Sequence, residues 1–123
     1  MLLRAAAENG RIDLVKMLLA KGVSADCEDE YGYSPLIIAS KKGNLEIVRS
    51  LLEAGSDINH MTRSGANALT LAAENGHAEV VEMLLAKGID THRSQCGHTA
   101  LQLALKNGHA DIVRILTQAG VTK

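Results

Sequence analysis

The sequence predicts an all-α solenoid, four helix-turn-helix units stacked in one direction and joined by β-hairpin-like loops. Three observations carry that expectation. Glycines recur in two series, Gly10, Gly43, Gly76 and Gly108, then Gly22, Gly55, Gly88 and Gly120, each stepping by 33, 33 and 32 residues. Such a period marks a supersecondary unit that can bury its apolar face only against its neighbours. Between the glycines lie short apolar stripes at helical spacing, and the stripes are separated by polar connectors. The chain holds no Phe or Trp and only two Tyr among 46% apolar residues, so its core is aliphatic and Ala-rich. Small side chains of that kind suit close helix-on-helix stacking.

The second unit shows the elements most clearly. Ser34 is placed to cap a helix whose first residue is Pro35, where a missing N–H costs nothing, and Leu36, Ile38 and Ala39 then form its inward face. Gly43 ends that helix in the left-handed conformation. A second helix starts near Leu45 and Glu46, whose charge suits the positive end of the helix dipole, and Ile47, Val48, Leu51 and Leu52 make its buried stripe. Gly55 stops it. Matching stripes are Leu14, Val15, Leu18 and Leu19; Val80, Val81, Leu84 and Leu85; and Ile112, Val113 and Leu116. Acids recur at the same helix start, Asp13, Glu46, Glu79 and Asp111. Helices of about eight residues do not persist alone in water, so stacking must supply their stability.

The polar connectors Asp26 to Tyr33, Ile58 to Ala66 and Thr91 to His98 contain Gly32, Gly65 and Gly97, as tight hairpin turns require. The third is one residue shorter than the second, with Gly97 following Gly65 by 32 residues where Gly65 follows Gly32 by 33, which predicts an altered hairpin there. The whole chain is expected to be one domain, 1–123, with units at 1–28, 29–61, 62–93 and 94–123.

Net charge is -1. That balance argues against non-specific attraction to nucleic acid or an anionic membrane. No run approaches the roughly 18 apolar residues of a membrane span, and the N-terminal apolar stretch is too short for a secretory signal. Cys27 and Cys96 fall two units apart, about 20 Å if layers are spaced by about 10 Å, beyond disulfide reach. Free thiols suit a reducing compartment, so the expected setting is intracellular, cytoplasmic or nuclear.

Period, paired short helices and glycine placement together resemble the ankyrin repeat over essentially the whole chain. The matching segments are GYSPLIIASKKGNLEIVRSLLEAGSDIN, GANALTLAAENGHAEVVEMLLAKGIDTH and GHTALQLALKNGHADIVRILTQAG. The resemblance implies an L-shaped stack whose hairpins and helices form a slightly concave face that binds another protein. The family's Thr-Pro-Leu-His motif stands here as Ser34-Pro35-Leu36-Ile37, Asn67-Ala68-Leu69-Thr70 and Thr99-Ala100-Leu101-Gln102. Its histidine is missing from all three, which predicts a weakened hydrogen-bond network and a less stable array. Ala5 replaces the Ile38, Leu71 and Leu103 of later units, and Thr117 replaces Leu19, Leu52 and Leu85. Both changes are expected to cap the ends by lowering their apolar exposure.

Repeat position places Glu30, Tyr31, Tyr33, Met61, Arg63, Ala66, Arg93, Cys96 and His98 on or beside the hairpin tips, with Lys41, Lys42, Glu74, Asn75, Lys106 and Asn107 on the adjoining helix face. Tyr and Arg are enriched at interface hot spots, so Tyr31, Tyr33, Arg63 and Arg93 are the leading anchors, with Met61, His98, Lys41 and Lys42 beside them. The competing reading has the tyrosines shielding the neighbouring hairpin. The first connector is acidic (Asp26, Glu28, Asp29 and Glu30), while later ones carry His60, Arg63, His92, Arg93 and His98. That gradient fits either a partner with graded charge or a solvated, solubilising run.

No nucleophile-and-base pair is visible, and His77 and His109 sit where the repeat uses histidine structurally, so no catalytic role and no cofactor are expected. His92, Cys96 and His98 have zinc-ligand chemistry but lack a fourth ligand. Lys41, Lys42 and Lys106 lack the interleaved aromatics of a nucleic-acid surface. LLEAGSDIN, ending at Asn59, resembles the ankyrin segment recognised by asparaginyl hydroxylases. The expected function is a monomeric protein-binding module or adaptor; the alternative is a structural spacer or scaffold within a larger protein.

Overall fold

A computed structural model describes residues 2–92, 94–95 and 97–121. Its helices come in four pairs: α1 (Leu2–Glu8) with α2 (Ile12–Ala20), α3 (Pro35–Lys42) with α4 (Leu45–Glu53), α5 (Ala68–Glu74) with α6 (Ala78–Ala86), and α7 (Ala100–Lys106) with α8 (Ala110–Gln118). Within each pair the helices pack on one another. Between pairs, α1, α3, α5 and α7 pack in one row and α2, α4, α6 and α8 in a second.

The core is a long aliphatic seam with a smaller cluster of Ile37, Ala66 and Leu71 beside it. Leu3, Leu36 and Leu69 from the first row, and Val15, Val48, Val81, Leu51, Leu84, Ile112 and Leu116 from the second, are essentially inaccessible. Because every unit shares its apolar face with the next, helices of seven to nine residues are held although none would survive alone.

Local chemistry sets the boundaries. Ser34 caps α3, its hydroxyl accepting from the Ile37 N–H at 3.4 Å, with Pro35 at the first helical position as expected. In α5 and α7 the residues replacing the motif histidine do useful work of their own. Thr70 and Asn67 bond reciprocally, each side chain accepting from the other's N–H at 2.9 Å. Gln102 and Thr99 form the same capping box. The network that the missing histidines put in doubt is thus replaced in two of the three units. Each second-row helix closes with a crossed pair of bonds, as where Gly55 donates to the Leu52 carbonyl and Ser56 to that of Leu51, both 3.1 Å.

The loops stack into a row beside the helices. Asp29 N–H to the Tyr33 carbonyl (3.1 Å) closes the first hairpin, and Thr62 N–H to that of Ala66 (2.8 Å) closes the second. The third differs, as its length predicts: β1 (Ser94–Gln95) and β2 (His98–Thr99) pair antiparallel, with Ser94 opposite Thr99 and Gln95 opposite His98. Gly65 is required where the rows meet, since at φ 89° a Cβ there would lie 2.6 Å from the Ser94 carbonyl oxygen.

Ala5 and Thr117 are exposed at the two ends, as capping predicts. Yet Leu2 (57% exposed), Met17 (48%) and Leu105 (59%) leave those ends apolar, so the capping is incomplete.

Candidate functional site

The hairpin tip of the second unit and the solvent side of α3 enclose a depression of about 280 Å³ lined by Glu8, Asp29, Tyr31, Tyr33, Ile38 and Lys41. Sequence position had suggested Tyr31, Tyr33 and Lys41, and the fold brings these three together. Among the described residues Tyr31 is the most exposed large apolar side chain, at 62%. Tyr33 is half-buried and packs against a small cluster of Ile37, Ala66 and Leu71. The two tyrosines therefore divide the readings offered for them: Tyr33 covers its neighbour, and Tyr31 stands in solvent. The Lys41 ammonium lies 5.7 Å from the Tyr33 ring centroid, a cation–π arrangement that fixes both groups at the rim.

The tip is rigidly pre-set. The Asp29 carboxylate accepts from the N–H groups of both Tyr31 and Tyr33 at 2.9 Å, fixing the backbone that carries the two rings. The next hairpin braces it: the Arg63 N–H donates to the Tyr31 carbonyl at 3.0 Å, and the Arg63 guanidinium Nε donates to that of Glu30. His60 Nε2 donates toward the Gly32 carbonyl at 2.9 Å and the Glu28 carboxylate at 2.8 Å. Asp26 accepts from the Asp57 N–H at 2.8 Å. Three of the four acids in the first connector thus hold neighbouring structure together, a third role that neither the graded-charge nor the solvation reading supplied. Glu30 is the exposed acid at the tip.

The other candidate residues are placed as follows. Lys42 pairs with Glu8 at 2.9 Å, both about half exposed, so the contact orients them more than it stabilises them. Met61 is 37% exposed, and His98 is exposed on β2. Ala66, expected at a tip, is fully buried, because the tip chain turns inward there to close the Thr62 bond. Arg93 and Cys96 lie outside the described residues, so the site reading of Arg93, the Cys27–Cys96 separation and the His92, Cys96, His98 cluster do too. Cys27 is a free, half-buried thiol.

Sequence reasoning missed Glu8, Asp29 and Ile38 in the lining. A signal for Glu8 was present: it sits one period before Lys41, and Glu8, Lys41, Glu74 and Lys106 occupy the same helix position in successive units.

His77 and His109 are fasteners. His77 Nε2 donates to the Lys41 carbonyl at 2.9 Å and His109 Nε2 to that of Glu74 at 3.0 Å, each bridging one unit to the one before. Asn59 serves likewise, its side-chain oxygen accepting from the Asp90 N–H at 2.8 Å. No described helix is long and apolar enough to cross a membrane.

Paired short helices in two rows, with a braced row of hairpins beside them, define a repeat solenoid that presents a fixed surface. The family model for ankyrin repeats (3 copies) matches residues 2–95 and 56–123, and the chain belongs to that family. Ankyrin repeats are generally protein–protein interaction modules and typically non-catalytic. No curated protein matches the chain significantly.

Proposed function

We propose that this chain is a non-catalytic adaptor that grips a protein partner along its hairpin row, with the depression between the second unit's tip and α3 as the centre of the contact. The observation that carries this reading is the combination at Tyr31: a large amphipathic ring, 62% exposed, on a turn already fixed by two bonds to Asp29 and braced by Arg63. A backbone fixed before contact loses little conformational entropy when a partner arrives. Lys41, Lys42 and Tyr33 border it, and Met61, Arg63 and His98 extend the surface along the row. An intracellular setting, cytoplasmic or nuclear, goes with this reading and with the free thiol of Cys27.

The test is Tyr31→Ala. Its side chain is exposed, so the variant should melt like wild type by circular dichroism. Binding of a protein captured by wild type and then titrated against both forms should weaken by about 2 kcal/mol, roughly 30-fold. Unchanged affinity would move the contact away from this depression, and failure of wild type to retain any specific protein would favour the spacer reading.

A further inference from the structure

The depression beside the second unit's tip is lined by a carboxylate of which the fold uses only one oxygen. Asp29 is half-buried there, and the two N–H groups it accepts, from Tyr31 and Tyr33, converge on the same atom, Oδ1, each at 2.9 Å. Its Oδ2 has no hydrogen-bond or ion-pair partner among the described residues. An ionised carboxyl group only accepts, at about four lone-pair sites spread over both oxygens. One half of Asp29 therefore sets the turn, and the other half is open to a donor from outside the chain.

The surroundings select that donor. Two carboxylates, Glu8 and Asp29, line the depression against one ammonium, Lys41. The cations nearby are already engaged: Lys42 pairs with Glu8 at 2.9 Å, the Lys41 ammonium lies 5.7 Å from the Tyr33 ring centroid, and the Arg63 Nε donates to the Glu30 carbonyl. Glu30 adds another acid at the tip, exposed and without an ion pair among the described residues. An incoming anion meets repulsion from Asp29 and Glu30, whereas a cation that donates to Oδ2 fills the open acceptor. Tyr31 adds a ring that is 62% exposed in the same lining. A planar guanidinium can lie on such a ring and give a carboxylate directed N–H bonds, while a compact, strongly hydrated ammonium does both less well. The volume, about 280 Å³, falls below the roughly 300–1,000 Å³ of small-molecule pockets and suits a single side chain.

We propose that this depression receives an arginine side chain of the protein partner, its guanidinium stacked on Tyr31 and paired with Asp29 Oδ2. Such an anchor rests on the partner contact proposed above and states what the partner presents at its centre.

The probe is N-acetylarginine N-methylamide, titrated into the isotope-labelled full chain and followed by amide chemical shifts, with the citrulline analogue, neutral and nearly the same shape, and the lysine analogue as controls. The arginine compound should give saturable shifts at Asp29, Tyr31 and Tyr33 with a Kd on the order of 1 mM, within reach of one side chain. Both analogues should bind at least about tenfold more weakly. Asp29→Asn keeps an Oδ1 for the two N–H groups and replaces Oδ2 by a donor, so it should melt like wild type and bind the arginine compound about tenfold more weakly. Tyr31→Ala, at an exposed position, should weaken it as well. Equal response to the arginine compound and either analogue, shifts confined to other amides, no saturation up to roughly 20 mM, or unchanged binding by folded Asp29→Asn or Tyr31→Ala overturns the proposal. Failure here is distinguishable from failure of the adaptor reading: a captured protein that is lost by Tyr31→Ala, with no arginine response, removes the arginine alone, whereas capture untouched by Tyr31→Ala removes the contact and the partner's arginine with it.

Discussion

The second and third units share one backbone plan and spend their side chains differently. In the second, the buried hydroxyls of Ser40 and Ser56 have no hydrogen-bond partner, and α3 is capped through one long bond from Ile37 to Ser34. In the third, the same positions carry Ala73 and Ile89, both buried, and α5 opens with a reciprocal capping box. The second unit also carries both tyrosines, with one in solvent. The arrangement places the better-satisfied core in the third unit and the exposed aromatic surface in the second, and stacking lets the former support the latter.

The largest effect is expected in the third unit's core. Leu84 is wholly buried between layers, so Leu84→Asp leaves an unpaired charge there and should abolish the cooperative thermal transition in calorimetry. The milder Leu84→Ala should cost about 2–5 kcal/mol in denaturant titration, and more than Leu51→Ala in the second unit if the division holds.

Next comes the seam between the two units. At Gly43, φ is 77° and a Cβ would lie 2.3 Å from the His77 ring. Gly43→Ala must push that ring off the Lys41 carbonyl as well as strain the backbone, for a loss of about 2–3 kcal/mol. Gly22→Ala has the strain alone, with nothing within 4 Å of its Cβ, and should cost about 1–2 kcal/mol. Equal losses would mean that the histidine fastener contributes nothing.

Capping gives a smaller contrast. Asn67→Ala removes half of a reciprocal pair and should lower stability by about 1–2 kcal/mol, while Ser34→Ala should cost less than about 1 kcal/mol. The smallest change has the opposite sign. Ser40→Ala and Ser56→Val remove unpartnered hydroxyls and install what other units use at those positions, so each should raise the unfolding midpoint by about 1 kcal/mol equivalent. Ala73→Ser should lower it.

The periodic features were legible in the sequence because they follow from helix chemistry repeated every 33 or 32 residues. Pro35 at the first helical turn, Gly43 in the left-handed region and the stripe through Leu51 and Leu84 are where spacing places them. The shorter third connector also announced its different hairpin. Less legible was anything that depends on how a hairpin folds back on itself. Ala66 reads as a loop residue but is buried, because the next bond of its own hairpin pulls it inward. Asp29 reads as a surface acid but organises the tip through its neighbours' N–H groups. The replacement of the motif histidine by Thr70 and Gln102 was readable in principle, since Asn67 and Thr99 stand three residues earlier, the spacing of a capping box. The apolar ends are masked in the sequence by the smaller side chains of Ala5 and Thr117, while Leu2, Met17 and Leu105 stand exposed at other positions.

Native-state hydrogen exchange, read amide by amide, tests the division between the two central units most directly. The arrangement predicts slower exchange in α5 and α6 than in α3 and α4, with the gap narrowing in the Ser40→Ala, Ser56→Val double variant. Protection in α3 and α4 equal to or above that in α5 and α6 would contradict it.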